Sequence, residues 1–153
     1  MASPNSTFTT GAILTAAQMN NLPWGLMGYA ENLSLAQTGI TTVTDITSLT
    51  VTFTGVAGRR YRVDGYLLLQ STVNNDAVNL IIRNGSNTTL QQAIYALPSA
   101  ASAYFCVVSL VMAVTGSNTV KLSIQRQSGT GTMTANGATT YPAQIVVTDI
   151  GSV

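Results

Sequence analysis

Arg60-Tyr61-Arg62-Val63-Asp64-Gly65-Tyr66-Leu67-Leu68-Leu69-Gln70-Ser71-Thr72 changes character every second residue. Tyr61, Val63, Gly65, Leu67 and Leu69 share one side, and Arg60, Arg62, Asp64, Tyr66, Leu68 and Gln70 share the other. Successive side chains of a strand point to opposite faces, so the stretch predicts a long β-strand with one buried face. Its second half is apolar on both faces and therefore wants a covering layer on each side.

The same period recurs outward from there. Gly25 to Glu31 reads as a first strand, and Thr50 to Thr54 alternates with Val51 and Phe53 inward before a turn at Gly55 to Gly58. Val78 to Arg83 leads into an Asn84-Gly85 turn, from which Thr88 to Tyr95 returns as a hairpin. Ala103 to Thr115 has no polar face and is expected to be a central strand covered on both sides. Val120, Leu122 and Ile124 alternate with Lys121, Ser123 and Gln125, and Ala143 to Ile150 closes the chain. Pro98 to Ser102, Ser128 to Thr132 and Ala135 to Ala138 read as loops. About eight or nine strands spaced roughly ten residues apart, without a long helix, predict an all-β chain: an antiparallel sandwich or jelly roll.

The N-terminal part differs. Residues 1–10 are polar with one aromatic, Phe8, and form an arm expected to stay extended until something holds it. A short helix follows: Thr15 suits the N-cap, Gln18 completes a capping box, Leu14 can staple onto Met19, and Pro23 ends it. Fewer than about three turns are marginal alone, so this element must dock on something. The chain therefore divides into an anchoring arm and short helix, 1–24, and a β-sandwich head, 25–153. Phe8, Ile13, Leu14, Met19, Leu22 and Trp24 are the expected anchor contacts.

Composition narrows the function. With 153 residues, 46% hydrophobic and only 7% charged, the chain makes one domain whose surface is neutral and hydroxyl-rich. So little charge protects poorly against association, which predicts a homo-oligomer. A net charge of +1 offers few cations to a phosphate backbone, so no nucleic-acid partner is expected. Arg59, Arg60 and Arg62 read as a solvated turn and strand start, one of them pairing with Asp64. No basic start with an apolar run precedes the helix, and no apolar run approaches the roughly 18 residues a membrane helix needs. The expectation is a soluble chain made in a cytoplasm, with no membrane partner. The single cysteine, Cys106, fits as a small buried hydrophobe, and four Asn-X-Ser/Thr triplets read as chance.

Catalytic chemistry is poorly supplied. The absence of histidine removes the Ser-His-Asp and Cys-His arrangements and every imidazole metal site. Glu31, Asp45, Asp64, Asp76 and Asp149 are scattered, whereas a glycosidase needs two carboxylates facing one sugar. Asn74-Asn75-Asp76 reads as a turn rather than a calcium loop, and Gly129-Thr130-Gly131 lacks the helix and lysine of a phosphate loop. No enzyme, metal or cofactor is expected. Trp24 and the tyrosines lie mostly in strand patterns, as core or subunit contacts rather than sugar-stacking platforms.

Phe8-Thr-Thr-Gly-Ala-Ile-Leu-Thr-Ala-Ala-Gln-Met-Asn-Asn-Leu22 resembles an N-terminal phrase of tailed-bacteriophage structural proteins. Gly25 to Glu31, Gln37 to Thr42, Val51 to Val63 and Gln144 to Gly151 are similar to small virion proteins of actinobacterial phages, variously described as head fibre, capsid decoration or minor tail proteins. The resemblance implies a homotrimeric jelly roll of the tumour-necrosis-factor type. Neighbouring subunits would then cover the doubly apolar strand, with Tyr104, Val108, Leu110 and Met112 expected at the trimer contact. It implies a virion protein assembled in the host cytoplasm, three copies of which attach through the N-terminal segment to the major capsid protein. The alternative is a minor tail protein at the tail tip or baseplate, joined to a tail protein and binding a host surface glycan. A cellular carbohydrate-binding or cytokine-like module fits less well, lacking a leader and disulfides.

Overall fold

In the computed structural model the described residues are 13, 15, 16, 19 and 22–152. They form ten strands: β1 (Gly25–Asn32), β2 (Ala36–Ile40), β3 (Thr44–Gly55), β4 (Arg59–Ser71), β5 (Asp76–Asn84), β6 (Thr89–Leu97), β7 (Tyr104–Met112), β8 (Gly116–Ser128), β9 (Met133–Asn136) and β10 (Ala143–Ser152). All pairings are antiparallel. One sheet runs β1-β10-β4-β7, with β9 continuing along β4 beyond β10 and carrying β2 on its far side. The other runs β3-β8-β5-β6. A six-stranded and a four-stranded sheet face to face, with the chain crossing between them, make the chain all-β with a jelly-roll arrangement.

β4 sits where the opening stretch of sequence requires. Tyr61, Val63, Leu67 and Leu69 are fully buried between the sheets, against Val78, Leu80 and Ile82 of β5 and Val120, Leu122 and Ile124 of β8. Gly65 occupies the inward phase because a Cβ there would lie 2.4 Å from Leu122 Cδ1. Phe53 packs on Tyr61 with ring centroids 5.2 Å apart, and the Tyr61 hydroxyl accepts from Val56 N at 2.8 Å.

The expected helix falls mostly outside the described residues; among those described, Ala16 and Met19 are helical, and Met19 N donates to Thr15 O at 3.0 Å. Three expectations change. The Asn84-Gly85 turn is a three-residue loop, Gly85 to Asn87, closed by Asn84 N to Thr88 O at 2.9 Å, with Asn87 rather than Gly85 at positive φ. β9 takes in Ala135 and Asn136, read as loop, together with Met133 and Thr134, because hydrogen bonds to β2 and β4 outweigh a weak local preference. Finally, β7 is an edge strand that pairs with β4 alone among the described strands. Its outer edge is blunted by the Tyr95 hydroxyl of β6, which donates to Val107 O and accepts from Val107 N at 3.0 Å.

Candidate functional site

Two surfaces stand out, and the first is the root of the N-terminal segment. In β10, Ile145, Val147 and Asp149 share the inward phase, so a carboxylate stands where the pattern calls for an aliphatic side chain. A buried charge is tolerated only with a partner. A β-bulge between Asp149 and Gly151 brings Gly151 N to 2.8 Å from Asp149 Oδ1. Gly58, at φ +77°, turns the chain into Arg59, whose Nε lies 2.5 Å from Asp149 Oδ2 and whose Nη2 lies 2.6 Å from Oδ1. The two side chains are 4% and 0% exposed, so Arg59 is not the solvated residue expected of the arginine cluster. Arg62 does pair with Asp64, at 2.8 Å.

The buried pair also grips the incoming chain. Arg59 Nη2 donates to Leu22 O at 2.6 Å, Trp24 N donates to Asp149 Oδ1 at 3.4 Å, and the guanidinium lies 4.0 Å from the centroid of the Trp24 ring. A cation over an indole face adds electrostatic attraction to the hydrogen bonds. Burial works against ionisation of Asp149, but the Arg59 hydrogen bonds, helped by Gly151 N and Trp24 N, outweigh it and hold the carboxyl below its ordinary range. The Asp149 hydrogen bonds correspondingly raise the Arg59 guanidinium.

Of the expected anchor residues, Phe8 and Leu14 lie outside the described residues. Ile13, Met19, Leu22 and Trp24 are all exposed, and Leu26 and Ile150 extend the apolar surface onto β1 and β10. The sandwich thus holds the backbone at Leu22 and Trp24 by partly buried polar contacts, with one face of the Trp24 ring on Arg59 and the Leu22 side chain exposed.

The second surface is the outer face of the β1-β10-β4-β7 sheet. Strand alternation places Tyr66 and Leu68 of β4, Phe105, Val107 and Val111 of β7, and Val146 of β10 on this side. Phe105 is 56% exposed and Val111 50%, and the Phe105 ring stacks on Tyr66 at 6.2 Å. At its polar centre Asp64, itself buried, accepts from Ser109 Oγ at 2.6 Å and from Arg62 Nε. Large exposed apolar patches mark interaction sites.

The four residues expected at the trimer contact point the other way. Val108 is 2% exposed within the core, and Tyr104, Leu110 and Met112 pack against that core. A one-residue change of phase moves a strand's whole side-chain set to the opposite face. Apart from Ser109 in the outward phase, both phases of β7 are apolar, so its sequence only weakly marks which faces inward.

The remaining carboxylates have local partners. Asp76 accepts from Ser71 Oγ at 2.5 Å and from the N–H groups of Thr130 and Gly131, pinning the β8–β9 loop. Asp45 holds Arg83, Lys121 and Ser123, and Glu31 accepts from the Tyr29 hydroxyl. Cys106 is buried, and desolvation pushes its thiol up to about 12.

No protein-family model and no curated protein matches the chain. Among solved structures it is similar to the Eiger TNF from S. frugiperda, at 12% identity over 84% of this chain and 94% of that one, with a TM-score of 0.54. That likeness shows a shared TNF-like jelly-roll fold. Viral capsid proteins are also among its structural neighbours. The structure of the Gx strain of infectious bursal disease virus aligns at 14% identity over 88% of this chain and 38% of that chain, with a TM-score of 0.45. A T13 particle of the same virus gives 13% identity, 88% and 37% coverage, and 0.43.

Proposed function

We propose that the chain is a non-enzymatic structural protein of a tailed-phage virion, a capsid decoration or head-fibre protein. Three copies associate through the outer face of the β1-β10-β4-β7 sheet, and the N-terminal segment attaches the trimer to the major capsid protein. The observation that carries this reading is that one rigid sandwich leaves apolar side chains exposed in two separate places: Phe105, Val111 and their neighbours on the sheet, and Ile13, Met19, Leu22 and Trp24 around the root. One surface suits a like copy and the other a different partner. The resemblance of the N-terminal phrase to phage structural proteins supplies the particle, and the jelly roll supplies the outward sheet.

The test is deletion of residues 1–21, which spares the Leu22 and Trp24 contacts to Arg59 and Asp149. The shortened protein is expected to keep the trimeric mass of the full chain in light scattering and to lose binding to purified empty shells. A shortened protein that still decorates shells refutes the anchor, and a monomeric full-length chain refutes the trimer. Copy number in purified virions locates the protein: abundance near that of the shell protein supports decoration, whereas trace abundance overturns it in favour of the tail.

A further inference from the structure

Lys121 is the only lysine in the chain. It lies on the outer side of the β3-β8-β5-β6 sheet, where the ladder sets it beside Arg83 of β5 and sets Ser123 beside Asp45 of β3. Its Nζ donates to Asp45 Oδ2 at 2.5 Å and also to the side-chain Oδ1 of Asn87, in the β5–β6 loop. The amine, a carboxamide oxygen and a carboxylate therefore meet at one point.

We propose that Lys121 and Asn87 become joined by an intramolecular isopeptide bond, with Asp45 relaying the proton. Asp45 and the Asn87 backbone are each held by groups other than Lys121. The other Asp45 oxygen is held by Ser123 Oγ at 2.6 Å and Arg83 Nη1 at 2.9 Å, and only 15% of the Lys121 side chain is exposed. Asn87 stands at φ +67°, its carbonyl accepting from Arg83 Nε at 3.1 Å and Nη2 at 3.0 Å, within the loop that Asn84 closes at Thr88 N. A non-glycine residue in the left-handed region, pinned by a guanidinium fork, is the kind of local strain that accompanies function. Holding nucleophile and electrophile in contact makes the step effectively unimolecular.

The chemistry balances without a co-reactant. Asp45 takes one proton from the Lys121 ammonium, and the neutral amine attacks Cγ of Asn87. As the new Nζ–Cγ bond forms and Cγ–Nδ2 breaks, Asp45 returns that proton to the departing nitrogen. The second proton shed by Nζ leaves with the ammonia as ammonium, so the carboxylate is regenerated. The product ties β8 to the β5–β6 loop across a sequence separation of 34.

The test is a tryptic digest of the denatured full-length protein, read by mass spectrometry. Trypsin does not cut at an acylated lysine, and no other lysine or arginine lies between Arg83 and Lys121. The expected product is a peptide spanning 84–126, lighter by one ammonia, with no backbone fragments separating residues 87 and 121. Cleavage after Lys121 to give a linear peptide 84–121 overturns the proposal and leaves a non-covalent ion pair. Succinimide formation at Asn84-Gly85 also loses ammonia but leaves Lys121 cleavable, so the two are distinguished. Asp45→Ala is expected to restore the cut after Lys121, as is Asn87→Ala. A cross-link that persists in Asp45→Ala overturns the relay, and if that variant does not fold the wild-type digest still decides whether the bond exists.

Discussion

Two substitutions three residues apart on β7 separate association from folding: Phe105→Asp and Val108→Asp. Phe105 faces outward and is 56% exposed, whereas Val108 faces the core and is 2% exposed. An aromatic side chain offers about 200 Å², so roughly 110 Å² of Phe105 remains to be buried by a neighbouring subunit. At about 25 cal/mol per Å² that is about 3 kcal/mol per chain, or about 8 kcal/mol per trimer, before adding the cost of desolvating the new carboxylate. A loss of that size raises the concentration needed for assembly by several orders of magnitude. Phe105→Asp is therefore expected to be a folded monomer, with wild-type circular dichroism and one third of the wild-type mass in light scattering. Val108→Asp loses about 1.5–3 kcal/mol of apolar burial and adds roughly 2–7 kcal/mol for an unpaired buried polar group. Against a total stability of about 5–15 kcal/mol, that chain is expected to be largely unfolded. A Phe105→Asp protein of unchanged mass, or a Val108→Asp protein that melts like wild type, refutes this assignment of the two faces.

The Asp149 carboxyl is held below its ordinary value, so the unfolded chain binds its proton first as pH falls. The resulting stability is fully present above about pH 3.9 and drains away as the pH drops through the lower folded value, measurable as the melting temperature across an acid series. Asp149→Ala leaves Arg59 without its carboxylate and is expected to cost about 3–5 kcal/mol, lowering the melting temperature by roughly 10 °C at neutral pH, with a shift in the emission of Trp24, the only tryptophan. Replacing both partners by aliphatic residues should recover most of that loss, since neither charge is then stranded. Gly65→Val drives side-chain atoms into Leu122 and Val108, and overpacking of this kind is expected to cost about 1–3 kcal/mol or more by urea titration. Cys106, buried and with its thiol pushed up to about 12, is expected to resist iodoacetamide in the native protein and to react fully in guanidinium, as counted by mass.

Much of the fold was legible because alternation is a local signal. The inward phase of β4, the placement of Val51 and Phe53, the long strand around Leu122 and the closing strand all follow from residues two apart, and the structure buries each as expected. β2 and β9 were not legible, since they are short and owe their strand state to pairing partners far away in sequence. The ion pair at the root of the N-terminal segment was not legible: Asp149 counted only as one of five scattered carboxylates, and its partner lies 90 residues away at Arg59, hidden among three arginines that look alike in sequence.

By itself, then, the sequence determined that this chain is an all-β protein with little charge to keep copies apart and without the histidine that many catalytic sites use. The period of two and the composition are properties of neighbouring residues and need no fold to be read. Which phase of β7 faces the core, which arginine is buried, and which side chains gather around Lys121 were decided by the tertiary structure alone. Both phases of β7 are apolar apart from Ser109, so packing against the facing sheet selects one, and a buried ion pair exists only when a strand end and a bulge are brought together.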